Sequence, residues 1–316
     1  MGRHANTKPS IQERIVPNMW KRVLHYNITE NDSIKYSNIH GFLRSHGYSS
    51  AVIRHLKETE NGICKNGVWT RVHDSLSPKD RLTITLTEKE SSERIVPSPL
   101  PLSIVYEDED LLVINKPSGM PVHPSQGNFD NTLANACAYY FEQKGEPFTY
   151  RCINRLDRDT TGLLILARHM YCASLLSAMV ARREIHREYL ALATGIVPDH
   201  GIITAPIARK PGSTIEREIN FETGECACTH FRRISQTDSG RYSLVSLKLD
   251  TGRTHQIRVH MKYIGHPLPG DFLYNPDYSS IHRQALHSYR LRFLHPVTGE
   301  KMDFTAPLPD DMKLVK

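Results

Sequence analysis

Asn154–Ala167 reads NRLDRDTTGLLILA. Two aspartates alternate with two arginines directly ahead of a continuous apolar run. The run LLILA, opened by Gly162, predicts a tight turn into a buried strand. If the preceding RLDRDTT is extended, successive side chains alternate. Asp157, Asp159 and Arg155 then share a face and Arg158 points away. A carboxylate held by arginine at a strand mouth stays ionised and can be aimed, as a nucleophile or general base needs. A structural ion pair bracing a turn is the alternative reading of the same residues.

A second charged constellation lies downstream. YSLVSLKLDTGRTHQIRVHM, residues 242–261, reads as a strand, a tight turn at Asp250-Thr251-Gly252 and a helix opened by Arg253 and Thr254. Amide donors at a helix N-terminus attract anions, and an adjacent arginine strengthens this. His255, His260 and His266 lack the i, i+4 spacing of a zinc site. Hydrogen bonding to phosphate or to a carboxylate is the expected use.

The surroundings are those of a globular protein. The 316 residues are 39% hydrophobic and 23% charged, with a formal net charge of +6. Length alone suggests two domains. A mild basic excess permits a polyanionic partner, and its distribution is more telling. Arg151, Arg155, Arg158, Arg168, Arg182, Arg183 and Arg187 fall in one stretch that has no lysine. The planar guanidinium fork suits phosphates and base edges. The polar N-terminus and the lack of a long apolar run give a cytoplasmic expectation, with no membrane partner. Six cysteines include no CxxC pair, and Cys226-Ala-Cys228 lies in a strand-like stretch. Idle thiols are expected rather than metal or redox use.

Residues 1–18 are expected to form a polar tail, and residues 19–88 a small α+β module. In that module Ile39, Phe42 and Leu43 have helical spacing, as do Val52, Ile53 and Leu56, with Ser49 or Ser50 as a cap. Asn66-Gly67 signals a hairpin, and RLTITL alternates as a strand. The charged, proline-rich residues 89–101 read as a linker. Residues 102–316 form the larger domain. Strands are expected in SIVYEDEDLLVINK, LLILA, EYLALATGIV, THFRRI, YSLVSLKL and the pair SYRLRFLHP–EKMDFTAP. Helices are expected in TLANACAYYFEQ, YCASLLSAMVARR and RTHQIRVHMKYIG. The fold class is therefore α+β, with a long mixed, mainly antiparallel sheet flanked by helices.

Four stretches, in order, resemble the RluA-type pseudouridine synthases. NKPSGMPVHP (115–124) is similar to the family's KPxGxxVHP segment, and NRLDRDTTGLLILA to its HRLDxxTSG signature. REYLAL (187–192) resembles KxYxAL, and GRTHQIRVHM (252–261), followed by GHPLPGD, resembles GRxHQIRxH. Asn154 stands where the family usually has histidine, and Thr161 where it has serine. The first module is similar to the RNA-binding unit of the fourth small-subunit ribosomal protein, through GYSSAVIRHLKE and KNGV.

The resemblance implies a pseudouridine-synthase-like catalytic domain. Such an enzyme breaks the bond between a uridine's nitrogen and its sugar, rotates the uracil and rejoins it through carbon. It implies no cofactor and no metal. Asp157 is implied as the essential carboxylate, attacking the sugar or removing a sugar proton. Arg253 is implied as its ion-pair partner, and Tyr189 as the residue stacked on the base and serving a late proton transfer. Arg155 is implied to hold RNA or fill the space of the everted base. Arg158, Thr161, His255, Gln256 and Arg258 complete the expected substrate contacts, while Lys116 and His123 either line the RNA path or shape a loop. Asp159 is expected to be structural. The implied partner is RNA, ribosomal from the large subunit ahead of transfer RNA, and a monomer is assumed. Two rivals are an inactive RNA-binding or ribosome-assembly factor and a glycosidase using Asp157 and Asp159 as an acid/base pair.

Overall fold

The computed structural model describes residues 19–313; the expected polar tail lies outside them. The chain begins with β1 (Trp20–Asn27), α1 (Glu30–Lys35), α2 (Ile39–Ser45) and α3 (Ser50–Glu58). It continues through β2 (Ile63–Lys65), β3 (Val68–Trp69) and β4 (Arg81–Glu88). The three helices start on side-chain caps. Thr29 and Asp32 make a capping box, Asn38 accepts from the Gly41 amide and Ser49 from the Val52 amide. Asn66 and Gly67 both have positive φ (53° and 83°), turning β2 into β3 as the Asn-Gly pair demands. The sheet order is β1-β4-β2-β3. Ile39, Phe42, Leu43, Val52, Ile53 and Leu56 pack against Leu82, Ile84 and Leu86.

β1 escaped the sequence reading. Trp20, Arg22, Leu24 and Tyr26 share its inner face, and Arg22 interrupts the apolar period. Its guanidinium is satisfied from outside the sheet, donating to both carboxylate oxygens of Asp110 at 3.0 Å. Nearby, Tyr48 stacks on Tyr171 with centroids 3.9 Å apart, and the Tyr171 hydroxyl donates to the His46 carbonyl. Residues 89–101 contain no helix or strand; the Ser92 amide donates to the Phe148 carbonyl and the Ser98 amide to the Asn135 carbonyl.

The remaining elements are β5 (Ile104–Glu107), β6 (Leu111–Lys116), α4 (Leu133–Gln143), β7 (Thr161–Ala167), α5 (Met170–Ala181), β8 (His186–Thr194) and β9 (His200–Thr204). They continue with β10 (Ile207–Arg209), β11 (Arg217–Ile219), β12 (Cys228–Gln236), β13 (Tyr242–Leu249), α6 (Gln256–Tyr263), β14 (Leu286–Leu294) and β15 (Lys301–Thr305). Nine strands form one sheet in the order β5-β6-β7-β14-β8-β13-β12-β9, with β15 paired to β14. All pairings are antiparallel except β7 with β14, where Thr161 lies opposite His287 and Gly162 opposite Ser288. The fold is thus α+β with a mixed, mainly antiparallel sheet, as the sequence indicates. The short strands β9, β10 and β11 carry too few residues to show a period.

The apolar run of β7 does not alternate because both of its faces are covered. Leu164 and Leu166 join the core under α4 and α6, while Leu163 and Ile165 join the core under α5. Such two-sided burial is what continuous apolar strands signify. Gly162 is required at the mouth. Its φ is +107°, and a Cβ there would stand 2.2 Å from the Ser288 carbonyl oxygen.

Candidate active site

Residues 154–160 belong to no strand. Arg158 and Asp159 form a turn closed by the Thr160 amide on the Asp157 carbonyl at 3.1 Å. The turn breaks the alternation expected for RLDRDTT beyond Asp157. Arg158 binds Asp159 with both Nε (3.0 Å) and Nη2 (2.9 Å).

The loop is fastened from several directions. Asn154 Oδ1 accepts from the Ile165 amide at 2.9 Å, so the amide present here still anchors the loop to β7. Lys116, at the end of β6, is fully buried and donates to the carbonyls of Pro117, Met120 and Arg158 at 2.7–2.8 Å. Burial pushes its ammonium down to about 7, with Asp159 and Asp157 opposing; the three carbonyls accept all three protons of the charged form. Lys116 is thus tied to the loop through its backbone carbonyls. Arg283 donates to the Asp159 carbonyl at 3.3 Å and is held by both oxygens of Asp311 at 2.7 Å. Thr161 is turned inward, bonded to His287 Nδ1 at 2.8 Å in a buried environment. His123 is exposed and edge-on to Tyr150.

Asp157 itself stays accessible, with its side chain 27% exposed. Its partner is Arg258, whose Nη1 donates to Oδ2 at 2.8 Å. Arg258 lies three residues into α6 and is 1% exposed. Asp271, completely buried, takes the other edge of the guanidinium, with Nε and Nη2 at 2.6 and 2.7 Å. Phe272 and Tyr274 lie 5.6 and 5.0 Å from the guanidinium carbon. The two carboxylates raise the Arg258 pKa against the opposing effect of burial. A buried guanidinium between two anions is a fixed cation, and Asp157 is the one of the three charges that meets solvent.

Arg253 was expected in that place, and the structure corrects the expectation. Arg253 pairs with Glu225, and its Nε donates to the Cys226 carbonyl at 3.2 Å. The physical reason is the true helix start. Residues 253 and 254 precede α6, which begins at Gln256 behind a left-handed His255 (φ 58°). Arg253 therefore projects from a loop, whereas Arg258 projects from the helix into the interior. Gln256 is also inward. Its Oε1 accepts from the Thr251 hydroxyl and the Arg253 amide, and its Nε2 donates to the Cys228 carbonyl. It orders the loop and borders the recess next to Asp157. His255 does border the carboxylate: Nε2 is 3.9 Å from Asp157 Oδ1, and Nδ1 is 2.9 Å from the Tyr274 hydroxyl. Burial lowers its pKa, with Asp157 acting in the opposite sense.

These groups open onto a cleft of about 1040 Å³ lined by Arg155, Asp157, Tyr189, Arg253 and His255 among others. A smaller recess of about 60 Å³ shares those residues and reaches Arg258. Tyr189 lies on β8 between β13 and β14, opposite Leu247 and Ser288. It is 4% exposed and forms part of the wall. The structure so brings together Asp157, Tyr189, Arg155, His255, Arg253 and Arg258. Lys116, Thr161 and Gln256 support the loops behind them, and Arg158 stands on the exposed side, bound to Asp159. Asp271 and Tyr274 were missed by the sequence reading. The available signal was the GHPLPGD stretch, which ends on Asp271. Gly270 just before it has φ +71° and no room for a Cβ, which would stand 2.2 Å from the Arg283 carbonyl oxygen.

The RNA pseudouridylate synthase family matches residues 110–263. The chain is 40% identical over 272 residues to an uncharacterized RNA pseudouridine synthase, YjbO, of Bacillus subtilis, covering 85% of this chain and 95% of that one. It is 41% identical over 240 residues to ribosomal large subunit pseudouridine synthase D of Pasteurella multocida, covering 72% and 73%. Among solved structures it is similar to human RNA pseudouridylate synthase domain containing 1. The TM-score is 0.55 at 29% identity, over 66% of this chain and 83% of that one.

Proposed function

This chain belongs to the RluA-type RNA pseudouridine synthase family and is an isomerase acting on RNA, and we propose that Asp157 is its catalytic carboxylate. The observation that carries this is the Asp157–Arg258–Asp271 chain at the bottom of the cleft. A buried cation aimed by a second carboxylate holds Asp157 in one orientation, and the cleft gives it access to substrate. The reaction breaks the N1–C1′ bond of uridine and forms C5–C1′, with loss of the C5 proton. Asp157 serves either by attacking C1′ or by taking a proton from the sugar. Nothing in this chemistry calls on Asp159.

A uracil inside folded RNA is out of reach, so the nucleotide must be everted at a cost of a few kcal/mol. Tyr189 offers its ring to the everted base. Arg155, Arg187, Arg253, Arg290 and Arg292 border the cleft, and their charges offset that cost through phosphate contacts. Arg155 is exposed and close enough to the recess to occupy the space the base vacates. Residues 19–88 are proposed as an additional RNA-binding module, with exposed Arg44, Arg54 and Lys57 on α2 and α3. Ribosomal RNA of the large subunit is the proposed substrate, since relatives about 40% identical are named for it. Among the described residues no helix is long and apolar enough to cross a membrane.

The test uses large-subunit RNA labelled with tritium at uridine C5. Wild-type protein should release tritium, and Asp157→Asn should release none while binding the RNA within a few-fold of wild type. Normal turnover by Asp157→Asn would overturn the assignment. Mapping pseudouridines in cells with and without the gene identifies the target; unchanged ribosomal RNA would remove the substrate proposal but not the catalytic one.

A further inference from the structure

Cys226-Ala-Cys228-Thr-His230 leads into β12 beside the cleft. Ala227 and Thr229 are buried, Cys226 is exposed, and Cys228 and His230 are half-buried. By strand alternation Cys228 and His230 leave on the same side. Asp250, just past β13, joins them through its amide on the Cys228 carbonyl at 3.2 Å. His230 Nε2 is 2.9 Å from Asp250 Oδ2 and 3.8 Å from Cys228 Sγ. All three donor atoms lie within 4.8 Å of one another.

We infer that Cys228, His230 and Asp250 form a binding site for zinc at the rim of the cleft. Tetrahedral zinc, with bonds of about 2.3 Å to sulfur and 2.0–2.1 Å to nitrogen or oxygen, places its ligands roughly 3.3–3.6 Å apart. His230 Nε2 already lies within a few tenths of an ångström of those separations from Asp250 and Cys228, and the side chains of His230 and Asp250 are 42% and 44% exposed, free to adjust. One thiolate, one imidazole and one carboxylate select zinc over the oxygen-seeking magnesium and calcium. Binding expels the Cys228 thiol proton to solvent. The His230 proton now shared with Asp250 moves to Nδ1, leaving Nε2 for the metal. Thiolate and carboxylate cancel the ion's charge. A fourth position is left to solvent. The second cluster of this kind, Asp108, Asp110 and His295, has no comparable freedom, since Arg22 and His169 already occupy Asp110. The site departs from the idle thiols and absent metal that the sequence suggests.

The test is equilibrium dialysis of the tag-free, chelator-stripped full chain against zinc chloride, with metal content read by mass spectrometry. About one zinc per chain is expected, with affinity lowered tenfold or more in both Cys228→Ser and Asp250→Asn. Cobalt(II) in place of zinc should give a thiolate-to-metal absorption band that Cys228→Ser abolishes. Both variants alter partly exposed side chains, and circular dichroism confirms their folding. Zinc binding at full stoichiometry in Cys228→Ser, or a cobalt spectrum without the thiolate band, overturns the site. So does wild-type protein that retains no more zinc than the two variants.

Discussion

Replacing Arg258 by lysine separates charge from geometry. The guanidinium makes three charged hydrogen bonds, two to Asp271 and one to Asp157. A lysine ammonium is a single nitrogen on a flexible stem and cannot span both carboxylates. Asp271 is fully buried and Asp157 is partly solvated, so desolvation assigns the ammonium to Asp271. Asp157 then loses one charge-assisted bond, a loss of about 1.5–3 kcal/mol. At 1.36 kcal/mol per decade, turnover should fall by roughly 10- to 150-fold. Single-turnover tritium release from uridine-labelled RNA measures this, and a filter-binding assay should show RNA affinity within a few-fold of wild type. Arg253→Lys is the control. Its partner Glu225 is exposed and away from the carboxylate, so the chemical step should change by less than about threefold. Arg258→Lys at wild-type turnover, or Arg253→Lys with an equal loss at saturating RNA, would refute the reasoning.

Asp271→Asn should lower the chemical step by about tenfold and cost about 2–3 kcal/mol of stability, since Arg258 keeps only one anionic partner; denaturant melts and single-turnover rates check both. Gly162→Ala should destabilise by roughly 2–5 kcal/mol, combining a left-handed backbone with a clash against β14, read as a shift in the urea midpoint. Lys116→Met leaves three loop carbonyls without donors and should cost about 1–3 kcal/mol, with a matching loss of turnover as the Asp157 loop relaxes. Burial lowers the pKa values of His255, His260 and His287 in the fold. Each therefore binds fewer protons folded than unfolded, and stability is lost as pH falls from the unfolded value near 6.5 toward the depressed ones. Each group contributes a slope of at most about 1.4 kcal/mol per pH unit in that window. A melting temperature that stays level or rises between pH 7.5 and 5.5 would contradict this.

The sequence by itself determined the strands and helices whose period is long enough to read, and it determined which segments carry the chemistry. LLILA reads as a buried strand, and the helices of 39–58 declare themselves through their caps and apolar spacing. The family resemblance alone implies roles for Asp157 and Tyr189, through motif order. The partner of Asp157 was another matter. Arg253 and Arg258 are five residues apart in one charged stretch, and either could reach a carboxylate. That choice depended on where the helix began, which Gln256 sets by capping the loop from within. It also depended on Asp271, distant in sequence from the 154–160 loop, being folded underneath. Local propensity records neither, because an ion pair between segments a hundred residues apart is fixed by packing and desolvation, and only the tertiary structure supplies those.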